Sequence, residues 1–193
     1  TGNQLLRLDG HKDTVNRVSF SPKGERILSV SDGSARIWDA ETGAERAVIE
    51  GETAIFISAT FSPDGNLVIT STFDGSLQLW DAETGKEGLQ LATGGIFPAF
   101  SPDGDRVIAV GFESVPRIWA VQTGEETNRL TGHDDSVNSA VFSEDGERVV
   151  TASKDGTARI WNASTGKELL RLVGHVGDVS YAEFSPDGAR VVT

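Results

Sequence analysis

The sequence has no cysteine and no methionine, only three histidines and one tyrosine, and fewer basic than acidic side chains: 17 Lys plus Arg against 29 Asp plus Glu, a net charge of −12. Without cysteine there can be no disulfide, no thiolate zinc site and no thiol nucleophile, and a reducing, cytoplasmic setting is the expectation. The acidic excess repels phosphate backbones and no basic cluster offsets it, so neither nucleic acid nor an anionic membrane is expected as a partner. No apolar run approaches the roughly 18 residues of a membrane span, and no basic-then-apolar leader opens the chain. It begins Thr1-Gly2-Asn3, which reads as an excised piece of a longer protein. Apolar residues at i, i+3, i+4 and i+7 are nowhere sustained for the ten or more residues a helix needs.

What is present is periodic. The four tryptophans fall at 38, 80, 119 and 161, with separations of 42, 39 and 42 residues. Phe20, Phe61, Phe100, Phe142 and Phe184 keep the same beat, each followed by a turn cluster such as Ser62-Pro63-Asp64-Gly65. A second turn follows each tryptophan: Asp39 to Gly43, Asp81 to Gly85, Ala120 to Gly124 and Asn162 to Gly166. A period of about forty residues marks a repeat architecture. The intervening runs are five or six residues long, rich in β-branched and aromatic types, and bounded by turn residues, as strands are. The first unit predicts strands over 15–20, 25–30, 34–38 and 45–49. Such a four-stranded meander cannot bury both faces alone, so neighbouring units must stack.

Gly10-His11, Ser29, Asp32 and Trp38-Asp39, recurring as Gly132-His133, Thr151, Asp155 and Trp161-Asn162, resemble the WD-repeat β-propeller family, and the similarity runs over all 193 residues. It implies an all-β fold, a β-propeller of four-stranded antiparallel blades set radially around a channel, with four complete blades and partial blades at both ends. Residues 1–193 are then a single propeller region, expected to be a fragment of a longer one. The resemblance also implies two buried hydrogen-bonded tetrads, His11, Ser29, Asp32 and Trp38 in one blade and His133, Thr151, Asp155 and Trp161 in another.

Two repeats depart from this pattern. In the second, Glu52 stands at the histidine position while Thr70, Asp74 and Trp80 remain. In the third, Leu91 is read at the histidine position, Ala109 at the hydroxyl and Glu113 at the aspartate, leaving Trp119 alone. Pro98 falls in a first strand, tolerable on a sheet edge. The fifth repeat runs from Gly174-His175 through Phe184 to Thr193, with strands expected over 179–184 and 189–193. Gln4 to Leu8 reads as the outer strand of a preceding blade, and open edges of this kind predict self-association.

Catalytic chemistry finds no support. His11, His133 and His175 are equivalent positions of different blades and cannot converge on one metal ion. Asp-Gly clusters fit hairpin turns better than calcium loops. No nucleophile elbow, phosphate loop or dinucleotide fingerprint is present, and no cofactor is expected. The family's partner-facing rim, carried over by position, holds polar Thr14, Asn16, Ser136, Asn138 and Lys154 in the first and fourth repeats. The second and third instead carry Ile55, Ile57, Phe73, Ile96 and Phe112, an apolar set that reads either as an exposed binding patch or as filler for lost tetrads. The resemblance implies a non-enzymatic scaffold that binds a protein or peptide. Its near-identical repeats are similar to bacterial members, which makes a sensor domain of a larger signalling ATPase, kinase or protease the alternative. A propeller enzyme is the remaining one.

Overall fold

A computed structural model describes residues 2–51, 55–91, 94–111 and 114–193. Among the described residues there is no helix, and eighteen strands follow in chain order. The first blade comprises β1 (Val15–Phe20), β2 (Arg26–Ser31), β3 (Ser34–Asp39) and β4 (Glu45–Glu50). The second comprises β5 (Phe56–Phe61), β6 (Leu67–Thr72), β7 (Leu77–Asp81) and β8 (Glu87–Leu91). The third holds β9 (Phe97–Phe100), β10 (Arg106–Val110), β11 (Arg117–Ala120) and β12 (Glu126–Arg129), and the fourth β13 (Val137–Phe142), β14 (Arg148–Ser153), β15 (Ala158–Asn162) and β16 (Glu168–Leu172). A fifth, partial sheet holds β17 (Glu183–Phe184) and β18 (Val191–Val192). Each sheet is an antiparallel meander in chain order, as the turn spacing predicts.

The turns do the folding locally. In Ser62-Pro63-Asp64-Gly65 the Ser62 hydroxyl donates to Asp64, Asp64 accepts the Asn66 backbone N–H at 3.0 Å, and Gly65 takes φ +79°. That positive φ favours glycine at the corner. Two register shifts recur. One lies just before each tryptophan, and one between Val15 and Arg17, Phe56 and Ser58, and Val137 and Ser139. The second is a bulge that leaves Asn16, Ile57 and Asn138 unpaired near the start of the innermost strands and re-aims their side chains.

The core lies between blades rather than within them. Leu28, Val30 and Ile37 of the first blade pack with Phe56, Phe61, Val68 and Trp80 of the second. Ile69, Leu77 and Leu79 meet Val107 and Trp119. Ile108, Val110 and Ile118 meet Val137, Phe142 and Trp161. Burying one face of each sheet on the next is how a stack of meanders satisfies its apolar side chains. Pro98 lies in β9, the edge strand of its sheet, opposite Ala109.

Three expectations need correction. Gln4 to Leu8 is not in a strand. The segment nevertheless lies where an outer strand of a preceding blade would: Leu6 and Leu8 crowd the turn glycine Gly43, as Val48 crowds Gly85, Leu89 crowds Gly124 and Arg129 crowds Gly166. The first strand of the fifth sheet is only Glu183–Phe184; ahead of it the Val179 N–H donates to Ser153 O and the Ala182 N–H to Ser139 Oγ, both in the fourth blade. Leu91 is not the histidine equivalent. It ends β8 opposite Leu77, as Ile49 faces Ala35 and Leu172 faces Ala158, so counting three residues on places Gly94 at the histidine position.

Candidate functional site

In the fourth blade the expected tetrad is assembled. Trp161 Nε1–H donates to Thr151 Oγ1 at 2.8 Å, Thr151 Oγ1 lies 2.7 Å from His133 Nε2, and His133 Nδ1 lies 2.7 Å from Asp155 Oδ2. These contacts assign one direction: the indole donates, the threonine hydroxyl donates on to Nε2, and Nδ1–H donates to the carboxylate. Burial lowers the His133 pKa, against the opposing pull of Asp155. Burial would raise Asp155, but hydrogen bonds from Thr157, His133 and the Asp134 N–H outweigh it and hold the carboxyl well below the usual range. A neutral imidazole on an ionised carboxylate is a structural relay with every polar atom satisfied.

Sequence reasoning missed the member that completes it. Arg159 is fully buried, with its Nη1 2.8 Å from Glu168 and its Nη2 3.2 Å from Asp155. A Cβ on Gly132 would lie 2.7 Å from Arg159 Nη1 and 3.1 Å from the Trp161 ring, so the glycine of the Gly-His pair is demanded by this close packing. Gly10 stands in the same relation to Arg36 and Trp38. The recurrence of Ala-Arg-Ile-Trp at 35–38 and 158–161 is the signal that carried it.

The first blade assembles only three of its four residues. Trp38 Nε1–H donates to Ser29 Oγ at 2.7 Å, and His11 Nε2 lies 2.6 Å from the same oxygen. Asp32 is not part of the network: His11 Nδ1 lies 2.8 Å from Ser31 Oγ and 3.2 Å from Ser34 Oγ, while Asp32 accepts from Asn16 Nδ2 at 2.8 Å. The cause is one missing residue. Nine positions separate Ser29 from Trp38 but ten separate Thr151 from Trp161, so Asp32-Gly33 forms a two-residue hairpin between β2 and β3 and its carboxylate is carried outward.

In the second blade Trp80 Nε1–H donates to Thr70 Oγ1 at 2.8 Å, whereas Asp74 binds Thr72 Oγ1 and the Ser76 N–H. Glu52 lies outside the described residues, as do Phe112 and Glu113. In the third blade Ala109 leaves Trp119 Nε1 buried with no hydrogen-bond partner among the described residues. Ala109→Ser is therefore expected to raise stability by about 1 kcal/mol by capturing that donor. A denaturant midpoint that does not rise would mean the site has no room for the hydroxyl.

Because His133 is held neutral, the unfolded chain takes up protons more readily than the folded one below the ordinary histidine value of 6.5. Its contribution to stability is present above that value and lost as pH falls. The melting temperature should drop between about pH 7.5 and 5, and less steeply in His133→Gln. A profile of equal steepness in both proteins contradicts the neutral assignment.

The rim presents a different chemistry. Ile55 and Phe73 are exposed (55% and 65%) and adjacent, with the Phe73 N–H donating to Ile55 O at 3.1 Å. Ser136 and Lys154 occupy the same relation in the fourth blade, joined by the Lys154 N–H and Ser136 O at 3.0 Å. Ile57, in the bulge, is half-buried. Ile96 is buried, contrary to the sequence expectation: β9 pairs with β10 without a bulge, so Ile96 takes the inward place that Phe56 and Val137 hold elsewhere. It still forms part of the wall of a cleft of about 150 Å³ shared with Phe73, Gly75, Gly94 and Gly111. Pockets for small molecules are larger, roughly 300 to 1,000 Å³; this one has room for a single apolar side chain. Among the described residues no group of three or more His, Asp or Glu is placed to hold a metal ion.

Radially stacked meander sheets, tied internally by Trp–hydroxyl–His contacts and bearing side chains on a shared rim, define a β-propeller. The chain belongs to the WD domain, G-beta repeat (WD40) family, whose profile matches residues 2–39, 43–81 and 124–162. An uncharacterised WD repeat-containing protein of Synechocystis is 39% identical over 71 residues, 36% of this chain and 20% of that relative. Coronin-7 of Mus musculus is 37% identical over 65 residues, 33% of this chain and 7% of its own length. Nuclear distribution protein PAC1 of Arthroderma benhamiae is 35% identical over 66 residues, 33% of this chain and 14% of its own length. The matched stretches thus span a fifth or less of each of these relatives. WD40 domains generally bind other proteins, and such relatives are typically non-enzymatic.

Proposed function

We propose that this chain is a non-enzymatic interaction module that binds a protein or peptide through the rim of its second and third blades. The observation that carries the reading is the exposed Ile55–Phe73 pair beside a cleft of one-side-chain size. Large apolar side chains exposed together favour a partner, and a cleft beside them gives an anchor residue a place to desolvate. The buried His133 and the Asp155 carboxylate are engaged with one another, which supports a structural role for them. A cytoplasmic setting belongs to the same proposal and is supported by the absence of cysteine.

The test is selection of displayed peptides on the wild-type chain, followed by measurement on Phe73→Ser and on Ile55→Ser with Phe73→Ser. Loss of at least about tenfold in affinity with little change in melting temperature is expected, since exposed substitutions away from special features change stability by roughly 0.5 kcal/mol or less. Peptides that bind both proteins equally, or a melting temperature that collapses, would remove the rim from the account.

A further inference from the structure

The second and third blades have each lost part of the relay, and the two losses meet at the rim. In the fourth blade the Asp155 side chain is only 6% exposed, enclosed by His133 and Arg159. Its equivalent in the second blade, Asp74, is exposed. Gln78 stands at the arginine position and spends its amide on Leu79 O and Gly88 O, and Glu52 stands at the histidine position. Hydrogen bonds from Thr72 and the Ser76 N–H hold the Asp74 carboxyl below its ordinary range, and no cation is among the groups that do so. An ionised carboxylate accepts at about four sites, so Asp74 keeps capacity for a cation from outside.

In the third blade Gly94 stands where His133 stands in the fourth, and it lines the cleft of about 150 Å³. Among the described residues Asp74 is the one charged group on the wall of that cleft, the rest being Phe73, Ile96 and glycines. The cleft spans the seam between the second and third blades, and that seam lacks a clasp found at the others. Arg26 stacks on Phe61 at 5.3 Å, Arg106 on Phe142 at 5.3 Å and Arg148 on Phe184 at 5.0 Å, each reaching from one blade to the next. In the second blade Leu67 stands at the arginine position, so the seam has less to hold it shut against an entering side chain. The surroundings are negative: the matching loops of the first and fourth blades expose Asp13, Asp32, Asp134 and Asp135 against Lys12 and Lys154.

We infer, resting on the rim reading, that the partner's segment places one apolar side chain in this cleft with a lysine or arginine beside it, whose cation pairs with Asp74. An acidic segment would be repelled by the rim, and an uncharged one would cover Asp74 and leave it unpaired. The net charge of −12 favours the encounter with a basic segment, and Asp74 fixes its register.

Selection of displayed random peptides on the 193-residue chain, followed by affinities of the enriched sequences as synthetic peptides, tests this. They are expected to share an apolar residue with Lys or Arg next to it. Gly111→Ala should weaken binding about tenfold or more, because the methyl takes room from the anchor. Gly111 does not take a positive φ, and its Cβ would lie 3.4 Å from Ile96, so the backbone accepts the change. Asp74→Asn should cost about fivefold. Its amide oxygen can still accept from Thr72 and Ser76, so the melting temperature should hold. Exchanging the peptide's basic residue for Gln should cost wild type the same factor of about five and Asp74→Asn little, as a direct pair requires. Peptides that need Phe73 but show no coupling to Asp74, or that bind Gly111→Ala as tightly as wild type, overturn the inference and leave the rim reading standing. Peptides indifferent to Phe73, or no enrichment at all, remove both. Should Gly111→Ala fail to fold, the Asp74 exchange decides alone.

Discussion

Trp161→Ala is expected to cost about 3 to 5 kcal/mol, the range for removing a large aromatic from a packed interior. The indole is fully buried between the third and fourth blades, against Ile108, Ile118 and Phe142. Its loss also strips Thr151 Oγ1 of a donor within the relay to His133. Set against a total stability of roughly 5 to 15 kcal/mol, the variant should be marginally folded at room temperature. Denaturant unfolding followed by circular dichroism reads this directly. A cost under about 1 kcal/mol would mean that the fourth blade does not hold its neighbour as described.

Arg159→Met is expected to cost about 3 kcal/mol, the lower end for breaking a buried ion pair, because Glu168 is partly exposed and can be rehydrated. The methionine keeps the volume of the stem but leaves Asp155 without its cation. The Asp155 carboxyl, held low in the native protein by hydrogen bonds, should then titrate at higher pH. The difference between variant and wild type should therefore shrink as Asp155 becomes protonated in acid. Arg36→Met is the internal control. Arg36 pairs with Glu45, but Asp32 has left that network, so its replacement should cost less than that of Arg159. Equal costs would show that the carboxylate of the aspartate turn contributes little to the fourth blade.

What could be read from the sequence, and what could not, divides along physical lines. The spacing of tryptophan, phenylalanine and turn glycines places the strands of the first blade to within a residue, because each of those residue types answers a local requirement. His133, Thr151, Asp155 and Trp161 meet as the resemblance to WD repeats implies. Asp32 does not, and the reason was visible as a difference of one residue between Ser29 and Trp38: a loop of four and a hairpin of two aim the same side chain in different directions. Ile96 was misplaced because the bulge that offsets Ile57 from Phe56 is absent from the third blade, and a bulge is a property of pairing rather than of composition. The arginines at 36 and 159, and those at 26, 106 and 148, repeat as regularly as the tryptophans. Their meaning is legible only once blade is set against blade, since each one acts across a gap or an interface that the chain's own order does not display.

The proposed division of labour, a polar relay that holds the fold and an apolar rim that would meet a partner, is tested most directly by measuring melting temperature and peptide affinity in parallel on His133→Ala and on Ile55→Ser with Phe73→Ser. The account predicts that His133→Ala melts lower while its folded fraction binds as tightly as wild type, and that the rim variant melts as wild type but binds about tenfold or more weakly. The opposite pattern, binding lost with His133 at unchanged stability and retained without Phe73, would contradict it.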